Sequence, residues 1–199
     1  MIVLSAEFVK SASGPEGYPP AGPPELAFCG RSNVGKSSAL NALAGRRQLA
    51  RVSRTPGRTR LINFFDLRVR TEERSEHDVR FADLPGYGFA SGPRAEREQW
   101  KEMIERYLSR RDPLRALVVL VDGQIGAQPS DVEMARWGES LGRRVLVAVT
   151  KLDKLSRSRR GRQVEKIQAQ LGLQPIIAFS AREPFGIEEL WRALLSALS

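Results

Sequence analysis

The 199-residue sequence has little of what several classes of protein require. Its single cysteine, Cys29, cannot form a disulfide within the chain, and its single histidine, His77, lies in a charged segment where acid–base catalysis is not expected. The longest apolar runs, residues 116–121 and 145–149, are far shorter than the roughly 20 residues that cross a bilayer. The N-terminus also lacks the basic start and apolar stretch of a signal peptide. We therefore predict a cytoplasmic protein without a membrane span.

Acidic residues are scarce relative to basic ones. The chain has 23 Asp and Glu against 32 Lys and Arg, which gives a net charge of +9 at pH 7. Such a balance favours an anionic partner such as nucleic acid, although an Arg-rich surface can also serve solubility alone. The clustering of the basic residues supports the first interpretation. The two clusters are Arg46, Arg47, Arg51, Arg54 and Arg58, and Lys154, Arg157, Arg159, Arg160 and Arg162.

The clearest motif is a phosphate-binding loop, G-x-x-x-x-G-K-S. An apolar run before it, residues 26–29, predicts a buried strand, and Leu40 and Leu43 after it predict a helix. In that context the backbone N–H groups and the helix N-terminus bind phosphate. Lys36 can reach the β- and γ-phosphates, and the Ser37 hydroxyl can ligate Mg²⁺. The predicted phosphate-contacting residues are Gly30, Arg31, Ser32, Asn33, Val34, Gly35, Lys36, Ser37 and Ser38.

Short apolar strands alternate with helices along the rest of the chain. The predicted strands span residues 61–70, 79–82, 114–122, 145–149 and 175–179, and the predicted helices span 94–110, 129–141, 158–171 and 187–198. This alternation predicts a single α/β domain with a mostly parallel six-stranded sheet, helices on both faces and one antiparallel edge strand. Residues 1–24, rich in Ser, Gly and Pro, are predicted to be a lead-in segment to a domain spanning residues 25–199.

Two further motifs fall at predicted carboxyl ends of strands, where open α/β sheets bind ligands. The first is D-x-x-G, formed by Asp83, Leu84, Pro85 and Gly86. Asp83 can hold Mg²⁺ through a water, and the Gly86 N–H can contact a γ-phosphate. Taken alone, Asp83 is equally compatible with a turn cap. Its position after a phosphate loop favours the metal-binding interpretation.

The second motif is T-K-x-D, formed by Thr150, Lys151, Leu152 and Asp153. The Asp153 carboxylate can accept two hydrogen bonds from guanine that adenine cannot donate, and the Lys151 stem can cover the base plane. Taken in isolation, the Lys–Asp pair would more simply be a surface pair that does not recognise a base. The residues that close the predicted strand 175–179 can offer backbone N–H groups to guanine O6. They are Phe179, Ser180 and Ala181.

In this order, the motifs resemble those of the translation-factor-like P-loop GTPases and, among the Era-like members, the EngB family (also called YihA or YsxC). The resemblance covers nearly the whole chain. It is carried by G-R-S-N-V-G-K-S-S (30–38), T-P-G-R-T (55–59), N-F-F (63–65), D-L-P-G-Y-G-F-A (83–90) and T-K-L-D (150–153). It implies an enzyme that binds GTP and GDP with Mg²⁺. It also implies Thr59 as the switch threonine on Mg²⁺ and the γ-phosphate, within the contact residues Gly57, Arg58, Thr59, Arg60 and Leu61.

The resemblance further implies a role in assembling the large ribosomal subunit, with a link to normal cell division and septation. We expect a monomer in which one or both of the basic clusters contact ribosomal RNA phosphates. A nucleotide-holding scaffold for RNA or for the division site, with little turnover, is the alternative. Two departures bear on partner contacts: Ser91 stands where the family usually has lysine, and residues 123–125 read Gly-Gln-Ile where it tends to carry an arginine-containing run.

One substitution bears on hydrolysis. Tyr87 follows the D-x-x-G motif, where many GTPases place a glutamine that orients the attacking water. We therefore expect slow hydrolysis unless a partner or a cation completes the site, with Lys36, Thr59, Gly86 and Asn33 contributing to catalysis. Two roles for Asn33 stay open. Its side chain can ligate K⁺, as the corresponding asparagine does in potassium-using Era-like GTPases, or it can brace the loop by hydrogen bonds.

Overall fold

The computed structural model describes residues 1–50, 61–87, 94–173, 176–183 and 185–198. In those ranges the chain forms seven strands and five α-helices. The strands are β1 (Ile2–Ala12), β2 (Glu25–Gly30), β3 (Ile62–Arg70), β4 (Glu76–Asp83), β5 (Leu114–Asp122), β6 (Arg144–Thr150) and β7 (Ile176–Ala178). The helices are α1 (Lys36–Leu43), α2 (Arg94–Arg110), α3 (Pro129–Ser140), α4 (Arg157–Leu171) and α5 (Ile187–Ser196).

All seven strands join one sheet, in the order β1-β3-β4-β2-β5-β6-β7. Strands β4, β2, β5, β6 and β7 run parallel, whereas β3 is antiparallel to both of its neighbours. The predicted α/β class with a mostly parallel sheet is confirmed. The predicted six strands fall one short, and the antiparallel strand is not at the edge. Strand β1 lies outside β3 and takes the edge position.

Strand β1 forms within the segment predicted to be a lead-in. It pairs with β3 from Ile2 opposite Arg70 to Ala12 opposite Ile62, with irregular register after Val3 and after Phe8. Its apolar side chains are largely exposed, and Ala12 is its one buried residue. A two-residue alternation of apolar and polar side chains is the usual mark of a strand, and here bulges and an open edge obscure it.

The helices cover both faces of the sheet, as predicted. Helices α2, α3 and α4 pack on one face, where Tyr107, Met134 and Ile167 are buried. Helices α1 and α5 pack on the other, where Leu40 and Trp191 are buried. Strands between two helical layers are apolar on both sides, which accounts for the continuous apolar runs in β2, β5 and β6. Within the described ranges, no helix is both long and apolar enough to span a bilayer.

A buried ionic network closes the amino-terminal end of β2. Glu25 is fully buried and accepts hydrogen bonds from Arg111, at 2.5 and 3.0 Å, and from the Tyr107 hydroxyl at 2.9 Å. Arg111 and Arg80 also donate to backbone carbonyls of the chain that leads into β2. Buried charges need such pairing to be tolerated. The network therefore fixes the entry of the chain into the sheet, at the end opposite the predicted motifs.

The parallel arrangement brings the predicted motifs to one edge. Strands β2, β4, β5 and β6 end at Gly30, Asp83, Asp122 and Thr150, and Phe179 follows β7. Carboxyl ends of parallel strands share one side of a sheet, so the motifs converge although they are distant in sequence.

Candidate nucleotide-binding site

The phosphate loop connects β2 to α1. Asn33 and Gly35 adopt left-handed backbone angles, with φ of 66° and 101°, and the loop closes with a 3.1 Å hydrogen bond from the Val34 N–H to the Arg31 carbonyl. Five N–H groups around the helix start make no hydrogen bond to any described residue: those of Asn33, Gly35, Lys36, Ser37 and Ser38. Free N–H groups at a helix N-terminus form an anion site, so the loop can receive phosphates.

Lys36 forms an ion pair with Asp83 across the loop, and both side chains are largely buried. The pair joins the first residue of α1 to the last residue of β4. Because Lys36 is predicted to bind phosphate and Asp83 to hold Mg²⁺, their contact shows that the two predicted positions adjoin. Over the described ranges, no three His, Cys, Asp or Glu side chains gather closely enough to hold a metal ion. The hard oxygens of Asp83 and Ser37, completed by phosphate and water, nevertheless suit Mg²⁺.

The T-K-x-D segment is joined to the phosphate loop. The Thr150 hydroxyl donates to the Val34 carbonyl at 2.7 Å. The Lys151 ammonium donates to the Asn33 carbonyl at 2.5 Å and to the buried Asp122 carboxylate at 2.6 Å. Lys151 itself is held in a left-handed conformation with φ of 57°. These contacts fix the predicted base-binding loop relative to the predicted phosphate-binding loop.

The Asp153 carboxylate is oriented by Ser180. The Ser180 hydroxyl donates to Asp153 Oδ1 at 2.7 Å and accepts from the N–H groups of Arg182 and Glu183, both at 3.1 Å. Ser180 is fully buried, so water does not compete for these bonds. A carboxylate held in this way is ordered before any base arrives, which lowers the entropic cost of recognising the two guanine donors.

Two of the three backbone N–H groups predicted to bind guanine O6 are already hydrogen-bonded. The Phe179 N–H donates to the Val149 carbonyl at 2.9 Å, and the Ser180 N–H donates to the Phe185 carbonyl at 3.2 Å. The Ala181 N–H makes no hydrogen bond to a described residue. Of the three predicted donors, Ala181 alone therefore remains available for O6.

Tyr87 is buried, 6% exposed, and its side chain turns towards α3. Its hydroxyl donates to Asp131 Oδ1 at 2.9 Å, and burial raises the pKa of that hydroxyl, which keeps it a neutral donor. Desolvation also raises the pKa of the buried Asp131 carboxyl, an effect that hydrogen bonds from the Gln128 N–H and Tyr87 oppose. The Arg31 Nε atom lies 3.4 Å from Asp131 Oδ2. The sequence did not indicate this cluster.

Several predicted residues fall beyond what the structure describes. These are the switch residues Gly57, Arg58, Thr59 and Arg60, together with Ser91. Leu61, at the boundary, is 39% exposed and directly precedes β3. The segment 123–125 is described as the turn after β5 and carries an exposed Ile125.

Comparisons with known proteins agree with this geometry. A protein-family model described as "50S ribosome-binding GTPase" matches residues 25–151. The probable GTP-binding protein EngB of Anaeromyxobacter sp. (strain Fw109-5) is 50% identical over 198 residues, which cover 98% of this chain and 92% of that relative. The chain belongs to the EngB family of GTP-binding proteins. The EngB protein of Myxococcus xanthus (strain DK1622) is 49% identical over 197 residues, or 97% of this chain and 94% of its own length.

Two solved structures have a fold similar to that of this EngB-family chain. The crystal structure of a probable GTP-binding protein engB superposes with a TM-score of 0.63 at 24% identity, covering 87% of this chain and 98% of that one. A single-residue variant of Aquifex aeolicus Era bound to GDP and AlF4⁻ superposes with a TM-score of 0.72, also at 24% identity, covering 88% of this chain and 56% of that one. Together with the family match, these similarities confirm the predicted P-loop GTPase domain.

Proposed function

We propose that this EngB-family chain binds GTP with Mg²⁺, hydrolyses it slowly, and uses the cycle in assembling the large ribosomal subunit. The observation that carries the guanine preference is the Asp153 carboxylate, which Ser180 holds at 2.7 Å. Lys151, bonded to Asn33 in the phosphate loop, sets the base-binding loop at a fixed distance from the phosphates. Guanine specificity and phosphate binding then belong to one site.

Bound nucleotide would rearrange the Lys36–Asp83 pair. The Lys36 ammonium would leave Asp83 for the β- and γ-phosphates, and Asp83 would become available to hold Mg²⁺ through a water, beside the Ser37 hydroxyl and Thr59. When bound, Mg²⁺ neutralises charge that develops on the phosphate oxygens. The Gly86 N–H would contact the γ-phosphate, and Ala181 would donate to guanine O6.

Slow turnover follows from the placement of Tyr87. Its hydroxyl is engaged by the buried Asp131, so the residue after D-x-x-G has no group with which to orient water. Hydrolysis would then depend on a ribosomal partner or on K⁺ held near Asn33. A scaffold that retains nucleotide with little turnover is the second candidate, and the same buried Tyr87 favours it.

The proposed ribosomal partner is supported by the family match and by charge. Four basic side chains around the start of α4 are exposed: Lys154, Arg157, Arg159 and Arg162. Arg160 is instead bonded to Glu183 and the Leu155 carbonyl, and we exclude it from the proposed RNA contact. Arg46 and Arg47 are exposed after α1, whereas Arg51, Arg54 and Arg58 are not described. The proposal includes a monomer that acts in the cytoplasm and a link to normal cell division and septation.

The test is GTP turnover measured with and without large-subunit precursor particles. If the chain is a GTPase that acts in assembly, its turnover should be slow alone and should rise clearly when the particles are added. Lys36→Ala should show no such rise. Turnover that stays at the background rate under both conditions, with guanine nucleotide still bound, would favour the scaffold.

A further inference from the structure

We infer that Asp131, on helix α3, is a positioning residue for GTP hydrolysis, because it holds Tyr87 and through Tyr87 the D-x-x-G turn against the phosphate loop. The inference rests on the proposed GTPase activity. It assigns a task to a residue that belongs to none of the nucleotide-binding motifs and lies 44 positions after Tyr87.

The backbone of the turn pairs directly with the phosphate loop. The Tyr87 N–H donates to the Gly30 carbonyl at 3.2 Å, and the Ser32 N–H donates to the Tyr87 carbonyl at 3.3 Å. The contact is close, since a Cβ atom added at Gly86 would lie 3.2 Å from the Gly30 oxygen. Gly86, the residue predicted to contact the γ-phosphate, thus directly precedes Tyr87, which two backbone hydrogen bonds join to the phosphate loop.

The side chain of Tyr87 anchors that bridge. Besides its hydrogen bond to Asp131, the ring lies edge-on to Trp100, with centroids 6.5 Å apart. Trp100 in turn donates to the Pro85 carbonyl at 3.1 Å. The turn is therefore attached to α3 through Tyr87 and to α2 through Trp100.

Asp131 is itself rigidly placed. It is fully buried in the first turn of α3, and its Oδ2 accepts the Gln128 N–H at 2.9 Å, as in a capping box. The Nε of Arg31 faces the same oxygen at 3.4 Å and has no hydrogen-bond partner among the described residues. The Asp131 carboxylate thus accepts hydrogen bonds from the Gln128 N–H at the helix cap and from Tyr87, and it forms an ion pair with Arg31 of the phosphate loop.

The expected consequence is largest at the γ-phosphate. GDP makes no demand on the Gly86 N–H, so its affinity should depend far less than GTP hydrolysis on how firmly Gly86 is held. Hydrolysis requires that N–H at one position. If the anchor is lost, the turn samples other arrangements and the productive fraction falls.

The experiment uses Tyr87→Phe in the full-length chain, with Tyr107→Phe as a matched control. Both variants delete a buried hydroxyl that donates to a buried carboxylate at 2.9 Å, in one case Asp131 and in the other Glu25 at the opposite end of the sheet. A hydrogen bond to a charged group is worth enough that we expect kcat for GTP to fall about tenfold in Tyr87→Phe. We expect its GDP Kd to stay within about twofold, and Tyr107→Phe to leave both quantities unchanged.

A second variant, Asp131→Asn, keeps the shape of the side chain and removes its charge. It should also lower kcat, and the double variant with Tyr87→Phe should lose less than the product of the two single losses, since the Tyr87–Asp131 bond is affected in both. Multiplying effects, an unchanged kcat in Tyr87→Phe, or equal losses in both Tyr→Phe variants would overturn the inference. A wild type that binds GDP but does not turn over GTP would instead overturn the proposed enzyme.

Discussion

The Ser180 hydroxyl and the Asp153 carboxylate are joined by a 2.7 Å hydrogen bond from a fully buried donor. The bond spans 27 residues and links the segment after β7 to the segment after β6. Because Ser180 engages Oδ1 and also accepts two backbone N–H groups, the carboxylate keeps its orientation without a ligand. The carboxylate that we propose for base recognition is therefore held in place at the carboxyl edge of the sheet before any nucleotide binds.

Asp153→Asn should reverse the base preference. The amide loses one acceptor that guanine needs and gains a donor that suits the 2-oxo group of xanthine. We expect GTP affinity to fall at least about 100-fold, since two charge-assisted bonds are weakened, and xanthosine triphosphate to bind better than GTP. Ser180→Ala is the control, because it loosens the carboxylate but should retain the preference for guanine. Equal affinity of the wild type for ATP and GTP would contradict the assignment.

The basic surface of α4 should contact RNA phosphates. Reversing Arg157, Arg159 and Arg162 to glutamate should lower the log–log salt slope of ribosome association by about one unit for each phosphate that is no longer neutralised. The control makes the same change in net charge on α2, at the exposed Arg97, Lys101 and Arg110. Identical salt slopes for the two triple variants would mean that the α4 charges serve only solubility.

Potassium dependence can be tested without backbone strain. Asn33 has φ of 66°, where alanine would be strained and glycine is not, so Asn33→Gly removes the side chain more cleanly than Asn33→Ala. If Asn33 ligates K⁺, wild-type turnover should be faster in potassium than in sodium buffer, and Asn33→Gly should lose the difference. Equal rates of the wild type in both salts would leave Asn33 with the bracing role.

The Glu25 network should dominate the stability of the sheet's amino-terminal end. Glu25→Gln leaves Arg111 buried beside a neutral partner, and removing one charge of such a pair lowers the free energy of unfolding by about 3–5 kcal/mol. Glu76→Gln breaks an exposed pair with Arg70, worth about 0–1 kcal/mol, and is the control. Urea denaturation measures both. Similar losses in the two variants would contradict the buried-network account, and GDP affinity should change in neither.

Much of the fold was predictable because buried strands and helices carry a regular pattern of apolar residues. Strand β5 and helix α2 have the predicted bounds, since one is buried on both faces and the other carries an apolar stripe ending at Tyr107 and Leu108. Strand β1 was missed because its pairing with β3 depends on backbone hydrogen bonds at an open edge. Exposed side chains such as Ile2 and Phe8 carry no such pattern.

In the candidate site, too, the sequence indicated some features and not others. The motif residues could be proposed from the sequence because phosphate, Mg²⁺ and guanine each require certain groups at short spacing. The Tyr87–Asp131 bond was not, because it links a turn to a helix cap far along the chain. An aspartate at the third position of a helix usually serves the cap alone, and only the packing of α3 beside the turn gives it a second partner.

The central claim, a GTP-dependent factor for large-subunit assembly, is tested most directly by co-sedimentation with large-subunit precursor particles. The full-length chain should be compared with GTP, with a non-hydrolysable GTP analogue and with GDP, at matched salt. The account predicts that the chain sediments with the particles in GTP or the analogue and is released in GDP. Association that is the same with all three nucleotides, or absent with all three, would contradict it.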